Sequence, residues 1–157
     1  MKNLAIVLLL ASFSVLAKQL PPDAFVLSKT PCYGNCPEFQ VTVFSDGTAI
    51  FIGKSNVDSI GVYKLPSDPD LFQKIVDLAN QYDFNSFRDE YGWSREENVC
   101  KSLRTDNPST TLSLQFAGKI KSINHYHGCR GFEREQELKQ LERKLDELLR
   151  INAYIGT

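Results

Sequence analysis

The sequence predicts an α+β fold in which two β-hairpins form an antiparallel sheet and two helices pack on one of its faces. Apolar and polar residues alternate along 39–44 and 110–116, and a turn signal follows each run, as in hairpins. Apolar residues recur at helical spacing along 71–82 and 132–151. The expected order of elements is therefore roughly β-β-β-α-β-β-α, in a single domain that disulfide bonds stabilise.

The N-terminus has the features of a secretory signal peptide. An uncharged, largely apolar run of thirteen residues, Leu4 to Leu16, follows Lys2. Crossing a bilayer takes about 20 apolar residues, whereas roughly 7–15 residues make the core of a signal peptide. Val15 and Ala17 are small or β-branched residues at the two positions that a signal peptidase reads. We therefore expect a signal peptide at residues 1–17, with cleavage after Ala17.

The mature chain, residues 18–157, is expected in the periplasm or outside the cell. Of 18 basic and 19 acidic residues, cleavage removes only Lys2, so the mature net charge is −2. This balance argues against nucleic acid as a partner. No second apolar run follows, so we expect no membrane insertion after cleavage. A signal segment retained as a short anchor is the alternative, whereas a lipid anchor would need a cysteine well before Cys32.

Four cysteines lie in the mature chain: Cys32, Cys36, Cys100 and Cys129. An even number of cysteines in an oxidising compartment usually indicates disulfide bonds. We favour Cys32–Cys36 and Cys100–Cys129, because the glycine and asparagine inside the first pair tolerate the backbone of a tight loop. Chain entropy predicts a stabilisation of about 2 kcal/mol for the first bond and about 3.5 kcal/mol for the second.

Two other roles for the cysteines compete with disulfide bonding. Cys32, Cys36 and Cys129 with one of His125 or His127 would make a tetrahedral zinc site. The C-x3-C spacing is wider than that of the usual zinc-binding pair, and thiolates outside the cytoplasm need protection from oxidation. A redox-active pair is disfavoured, because a C-x-x-C motif in a βαβ setting is absent.

The first hairpin is expected at 39–52. Residues 18–31, which contain two consecutive prolines, are interpreted as an extended lead-in. The Asp-Gly pair at 46–47 predicts a two-residue hairpin turn, and such a turn places Val43 opposite Ile50 on one apolar face.

A less regular third strand is expected at 57–65, followed by a helix. Asp68 is a candidate N-terminal cap, and the proline after it suits the first helical position. The apolar stripe of this helix continues to about Tyr82, and we expect Phe84 and Phe87 to close the core beneath it.

Residues 88–108 show no convincing periodicity. A loop of about 20 residues without secondary structure is unusual in a compact domain and is often functional. This loop is interpreted either as a surface excursion that Cys100 ties down or as a recognition loop with Trp93 as its anchor. A second hairpin is then expected across residues 117–118, before the final amphipathic helix.

Four short motifs resemble an uncharacterised family of exported bacterial domains of unknown function. They are T-P-C-Y-G-N-C-P at 30–37, F-S-D-G-T at 44–48, T-D-N-P-S-T-T at 105–111 and H-Y-H-G-C at 125–129. The resemblance covers nearly all of residues 25–150 and implies a shared α+β scaffold and a bacterial source, but no activity. Shorter members lack the extra length around 93–104, so the Cys100–Cys129 bond is not expected throughout the family.

The only two histidines lie in the segment His125-Tyr126-His127. Strand geometry puts side chains two residues apart on the same face, roughly 7 Å from each other. The pair suits a metal ion, a base beside a nucleophile, or a purely structural role. Asp106 and Glu38 are candidate carboxylate neighbours, although no spacing places them near the histidines.

No motif of a serine hydrolase, a zinc protease or a nucleotide-binding loop is present. We therefore expect no cofactor and a non-enzymatic binding module, whose partner is an envelope or extracellular protein or a small ligand. The candidate binding residues are Trp93, His125, Tyr126 and His127. The alternative is a metal-binding protein or a small metal-dependent hydrolase centred on His125 and His127.

Overall fold

The computed structural model describes residues 23–93 and 99–156. The predicted signal peptide, and residues 94–98 of the predicted recognition loop, lie outside the described residues. The described strands are β1 (Ala24–Lys29), β2 (Glu38–Phe44), β3 (Ala49–Ser55), β4 (Gly61–Lys64), β5 (Glu90–Tyr91), β6 (Ser102–Leu103), β7 (Ser109–Phe116), β8 (Lys119–Tyr126) and β9 (Cys129–Arg130). The described helices are α1 (Leu71–Gln81), α2 (Glu135–Leu148), α3 (Asn152–Ile155) and a 3-10 turn (Phe84–Ser86).

Seven of these strands form one sheet in the order β4-β3-β2-β1-β7-β8-β5. Its pairings are antiparallel except that β5 runs parallel to β8, and β6 pairs with β9 separately. The predicted α+β class is therefore confirmed, whereas the predicted architecture of two hairpins in the order β-β-β-α-β-β-α is wrong.

The main error concerns β1, which lies inside the segment interpreted as an extended lead-in. This strand is the centre of the sheet, because it pairs with β2 on one side and with β7 on the other. Phe25 and Leu27 are buried, whereas Val26 and Ser28 point to the other face and are half-buried. Two alternations are a weak local signal, and the strand gains its stability from partners that are distant in the chain.

The register of the first hairpin also differs from the prediction. Val43 pairs with Ala49, and the Phe44 N–H donates to the Thr48 carbonyl at 2.8 Å, so the loop they enclose contains three residues, 45–47. A two-residue type I′ turn needs two consecutive residues with positive φ, and here only Gly47 has one, at 79°. The shift of one residue turns Ile50 away from the core and places Phe51 in it, since side chains alternate between faces.

The second hairpin has the expected two-residue turn. Ala117 and Gly118 have φ values of 50° and 75°, and Phe116 pairs directly with Lys119. The strand β8 lies next to the short edge strand β5, on the more polar side of the sheet.

The predicted third strand and the first helix are present with shifted ends. The strand β4 is shorter than the expected 57–65, and α1 begins at Leu71. Asp68 accepts a hydrogen bond from the backbone N–H of Asp70 at 3.0 Å, one residue before the helix proper. Phe84 and Phe87 are buried, as expected.

The segment 88–108 is not the structureless loop that its composition predicts. It contains β5 and β6, each of two residues, which are too short to show a sequence period. None of the helices in the described ranges is long and apolar enough to span a membrane.

Helices α1 and α2 contact each other and cover the face of the sheet whose side chains are buried. In the sheet, α1 contacts β1 and β2. Helix α2 reaches β1 and β8 through polar side chains, so the two helices meet different halves of the same face.

Candidate functional site at one end of the sheet

One end of the sheet collects most of the predicted site residues. Strands β1, β3, β5 and β8 finish there, and β2, β4 and β7 start there. We call this edge and its connecting segments (30–37, 56–60, 92–93, 104–108 and 127–128) the loop end.

Both predicted disulfide bonds are present: Cys32–Cys36 lies in segment 30–37 of the loop end, and Cys100–Cys129 joins the first residue of β9 to the segment before β6. The Cα atoms are 5.5 Å apart in Cys32–Cys36 and 5.1 Å apart in Cys100–Cys129. The Asn56 side chain donates a hydrogen bond to the Cys36 carbonyl at 3.1 Å, which ties the first ring to the β3–β4 connection. Because all four sulfurs are bonded to each other in pairs, the cysteine zinc site does not form.

A row of register partners crosses the sheet just inside the loop end. Lys29 on β1 pairs with Thr110 on β7, which in turn pairs with His125 on β8. Directly paired residues share a face, and here it is the face that α2 covers. Glu142 and Asp146, one turn apart on α2, reach His125 and Lys29 respectively, at 2.7 and 2.6 Å.

The His125 side chain is fully buried in this row. Its Nδ1 lies 2.7 Å from Oε1 of Glu142, and the two atoms share a hydrogen bond. The rings of Phe132 and Tyr91 meet it edge-on, with centroids 5.3 and 6.4 Å away. The other nitrogen, Nε2, is buried without a hydrogen-bond partner among the described residues. Leaving a buried polar atom without a hydrogen bond lowers the stability of the fold by about 1–3 kcal/mol.

His127 stacks on His125 with 4.6 Å between ring centroids and an interplanar angle of 25°. Its Nε2 lies 2.7 Å from the Thr110 hydroxyl oxygen and 3.9 Å from Oε2 of Glu142. The side chain is 28% exposed, whereas the side chains of His125 and Glu142 are almost completely buried.

Burial lowers the pKa of His127 from 6.5 to about 4. The negative charge of Glu142 opposes this shift, and the positive charges of Lys29 and Arg130 add to it. Removal from water disfavours the charged imidazolium, so His127 is neutral at pH 7.

The carboxylate of the site, Glu142, was missed by sequence reasoning, which considered Glu38 and Asp106. Glu38 accepts a hydrogen bond from Ser55, and Asp106 from Thr105, so neither faces the histidines. The sequence of the final helix did contain an indication of Glu142. This residue lies four positions after the buried Leu138, so it is a charged residue at a position on the apolar stripe.

The arrangement does not match the activation of a nucleophile. In a hydroxyl–imidazole–carboxylate triad, the hydroxyl and the carboxylate bond to opposite nitrogens of one ring. Here the Thr110 hydroxyl and Glu142 both approach Nε2 of His127, and Thr110 is buried. The site instead groups potential ligands, since one atom each of His125, His127 and Glu142 lie within 4.8 Å of one another.

The other two candidate binding residues have different environments. Trp93 follows β5 and is 69% exposed. Tyr126 instead supports the loop, because its hydroxyl donates to the Arg104 carbonyl at 2.7 Å and accepts from the Asn107 N–H at 3.2 Å. At the first disulfide, Tyr33 is 92% exposed, although the sequence alone did not single it out.

Comparison with known protein families matches residues 23–149 to the family described as a domain of unknown function, DUF6438. The chain belongs to this family. The match begins at β1 and ends after α2, so the DUF6438 domain contains the whole sheet, both disulfide bonds and the His125–His127–Glu142 group. A search of curated proteins finds no match.

Proposed function

We propose that this DUF6438 protein is exported and acts as a non-enzymatic binding domain, and that the loop end contacts its partner. One observation carries the proposal. Two large aromatic side chains, Tyr33 inside the Cys32–Cys36 ring and Trp93 after β5, are exposed at the same end of the sheet. Exposed Tyr and Trp residues on a rigid support are the typical energetic centres of protein interfaces.

Export is supported by the chemistry of the cysteines. Four cysteines in two disulfide bonds suit an oxidising compartment, where such bonds persist. The apolar run at 4–16 provides the route out of the cytoplasm.

The partner that fits this surface best is an envelope or extracellular protein. Rigid aromatic side chains lose little conformational entropy when a protein covers them, and they bury a large area. A small ligand would instead need an enclosed cavity that surrounds most of its surface. A cavity of about 740 Å³ among the described residues lies elsewhere, between the start of α1 and the end of α2.

Export is tested by expressing the full chain, and a version without residues 2–17, in a bacterial host with a periplasm. The full chain should reach the periplasm and show no free thiol after denaturation. The shortened chain should stay in the cytoplasm. A full chain found in the cytoplasm with four free thiols would refute export.

Binding at the loop end is tested by cross-linking the mature protein to intact envelopes, with wild type, Tyr33→Ala, Trp93→Ala and Ile120→Ala compared. Ile120 is a matched control, because it is 68% exposed and lies at the opposite end of β8. We expect one saturable cross-linked species that both aromatic substitutions reduce and Ile120→Ala leaves intact. Equal loss in all three variants, or no saturable species, would exclude the loop end as the binding surface.

A further inference from the structure

We propose that His125, His127 and Glu142 bind a divalent transition-metal ion of the zinc class. This inference is independent of a protein partner at the loop end, since it concerns the buried side of the sheet and uses none of the exposed aromatic residues.

The types of side chain fit the ion. Two imidazoles and one carboxylate form a ligand set that Zn²⁺ uses in sites with three protein ligands and one further coordination position. Such mixed nitrogen and oxygen ligands also suit Co²⁺ and Ni²⁺, and are poorly matched to Ca²⁺ or Mg²⁺, which prefer oxygen ligands alone.

The distances need only a small closure to reach coordination geometry. Ligand atoms around a tetrahedral Zn²⁺ lie about 2.0–2.2 Å from the ion, and therefore roughly 3.3–3.6 Å from each other. Nε2 of His127 and Oε2 of Glu142 are 3.9 Å apart, and one ligand atom from each of the three residues lies within 4.8 Å of the others. His127 is the most exposed of the three side chains, so we infer that its ring turns out of the stack with His125 when the ion binds.

His125 faces Glu142 through Nδ1, which lies 2.7 Å from Oε1 of the carboxylate. The two nitrogens of an imidazole point away from each other, so an ion that Glu142 binds reaches His125 at Nδ1 and not at Nε2. The ion would take the place of the proton between Nδ1 and Oε1, since the atoms that bind a metal must be deprotonated. Both side chains are almost completely buried, at 1% and 6% exposed, so these two ligands are already removed from water and held in place.

The position of Glu142 is difficult to explain by packing alone. It lies on the buried side of α2 between Leu138 and Leu145, where another leucine would bury apolar area at no electrostatic cost. A buried carboxylate carries a desolvation penalty of several kcal/mol, which a cation between the two layers offsets. Asp146, one turn further along α2, is engaged by Lys29 and so is not free for the ion.

Access to the site is from the loop end. His127 is the partly exposed member of the group, and it follows the last residue of β8. The open coordination position is therefore on the side of His127, where water or the Thr110 hydroxyl can complete the shell.

The test uses untagged residues 18–157 with both disulfides intact, dialysed against chelator and then titrated with Co²⁺ in visible absorption. Wild type should bind one ion and develop the intense bands of a tetrahedral nitrogen and oxygen site, without thiolate charge-transfer absorption. Glu142→Gln and His127→Gln should each lower the affinity at least about tenfold. Glu147→Gln, on the exposed side of the same helix, should leave the affinity unchanged.

A thermal melt with added Zn²⁺ provides the second measurement. An ion that binds the folded state alone raises the melting temperature, so wild type and Glu147→Gln should show a shift that Glu142→Gln lacks. Far-UV circular dichroism of the metal-free variants establishes that each is folded. If a variant does not fold, the wild-type Co²⁺ spectrum and melting shift decide. A wild-type spectrum that stays that of the hydrated ion, or equal affinity in folded Glu142→Gln, would overturn the proposal.

Discussion

In the row just inside the loop end, the buried face of the sheet is apolar over β2 and β3 and polar over β7 and β8, whereas the next row on β7 and β8 is apolar again, with Leu112 opposite Ile123. The row that holds Phe39 on β2 continues through Lys29 to Thr110 and His125. On the apolar side, the rings of Phe39 and Phe51 stack with centroids 5.4 Å apart. On the polar side, side chains at the same depth form hydrogen bonds to α2.

The apolar half of this face, around Phe39 and Phe51, and its polar half, around Lys29, Thr110 and His125, are stabilised in different ways. Phe51 gains free energy from the area it removes from water, whatever packs against it. His125 gains little unless its partner is present, because desolvation of a polar group must be offset by a specific hydrogen bond. The apolar half should therefore tolerate changes of shape, and the polar half should respond to the loss of a single atom.

The largest expected loss of stability comes from removing a buried ring in the apolar half. Phe51→Ala should lower the free energy of unfolding by about 3–5 kcal/mol, since it removes a fully buried ring and leaves a cavity. Ile52→Ala, the adjacent position on the half-buried opposite face, should have a clearly smaller effect. Urea unfolding followed by circular dichroism measures both. Equal losses would contradict the register in which Phe51, rather than Ile52, faces the helices.

Removing the disulfide bond that closes the longer loop should cost more stability than removing the other. The bond from Cys100 to Cys129 spans 29 residues and lies beside the polar half, and its replacement by two serines should cost about 3.5 kcal/mol. The bond from Cys32 to Cys36 joins residues with a sequence separation of only 4, and its replacement should cost about 2 kcal/mol. Thermal unfolding of both double variants ranks them, and the reverse order would show that native-state packing outweighs chain entropy.

A single atom should matter in the polar half. Glu142→Gln keeps the shape but exchanges a charge-assisted hydrogen bond to His125 for a neutral one, so we expect a loss of about 1–3 kcal/mol without metal. Glu147→Gln on the exposed side of α2 should change stability by less than about 0.5 kcal/mol.

Replacing both members of the pair sharpens the comparison. Replacing both partners of a buried hydrogen bond by apolar groups is often nearly neutral or stabilising, so His125→Leu/Glu142→Leu should be more stable than Glu142→Leu alone. If the double variant is instead less stable than both Glu142→Leu and wild type, the polar half is required for packing and not only for binding.

The smallest effect is a pH dependence caused by His127. In metal-free protein with chelator present, lowering the pH from 6.5 towards 4 adds a proton to the unfolded chain while His127 in the fold stays neutral. Stability should therefore fall as the pH falls through this window, by under about 1 kcal/mol between pH 7 and pH 6. His127→Gln should show a flatter profile in urea unfolding, and an unchanged slope would contradict the lowered pKa.

Parts of the fold with a strong local signal were predictable from the sequence. The turn at 117–118 and the apolar stripe of α2 are examples, because the residues that specify them are neighbours in the chain. The three-residue turn at Gly47 was not predictable, since an Asp-Gly pair is compatible with both a two-residue and a three-residue loop. The central strand β1 was missed because its two partners are far away in sequence.

The sequence by itself determined the α+β class and the fact that both histidines lie in one short segment, and it favoured the two disulfide pairs that the structure contains. It predicts export, but the signal peptide lies outside the described residues. Only the tertiary structure decided that β1 joins the two hairpins and that Glu142 faces His125 from another layer. The physical reason is that alternation, helical period and turn chemistry act between near neighbours. A buried site is completed by side chains that long-range packing brings together.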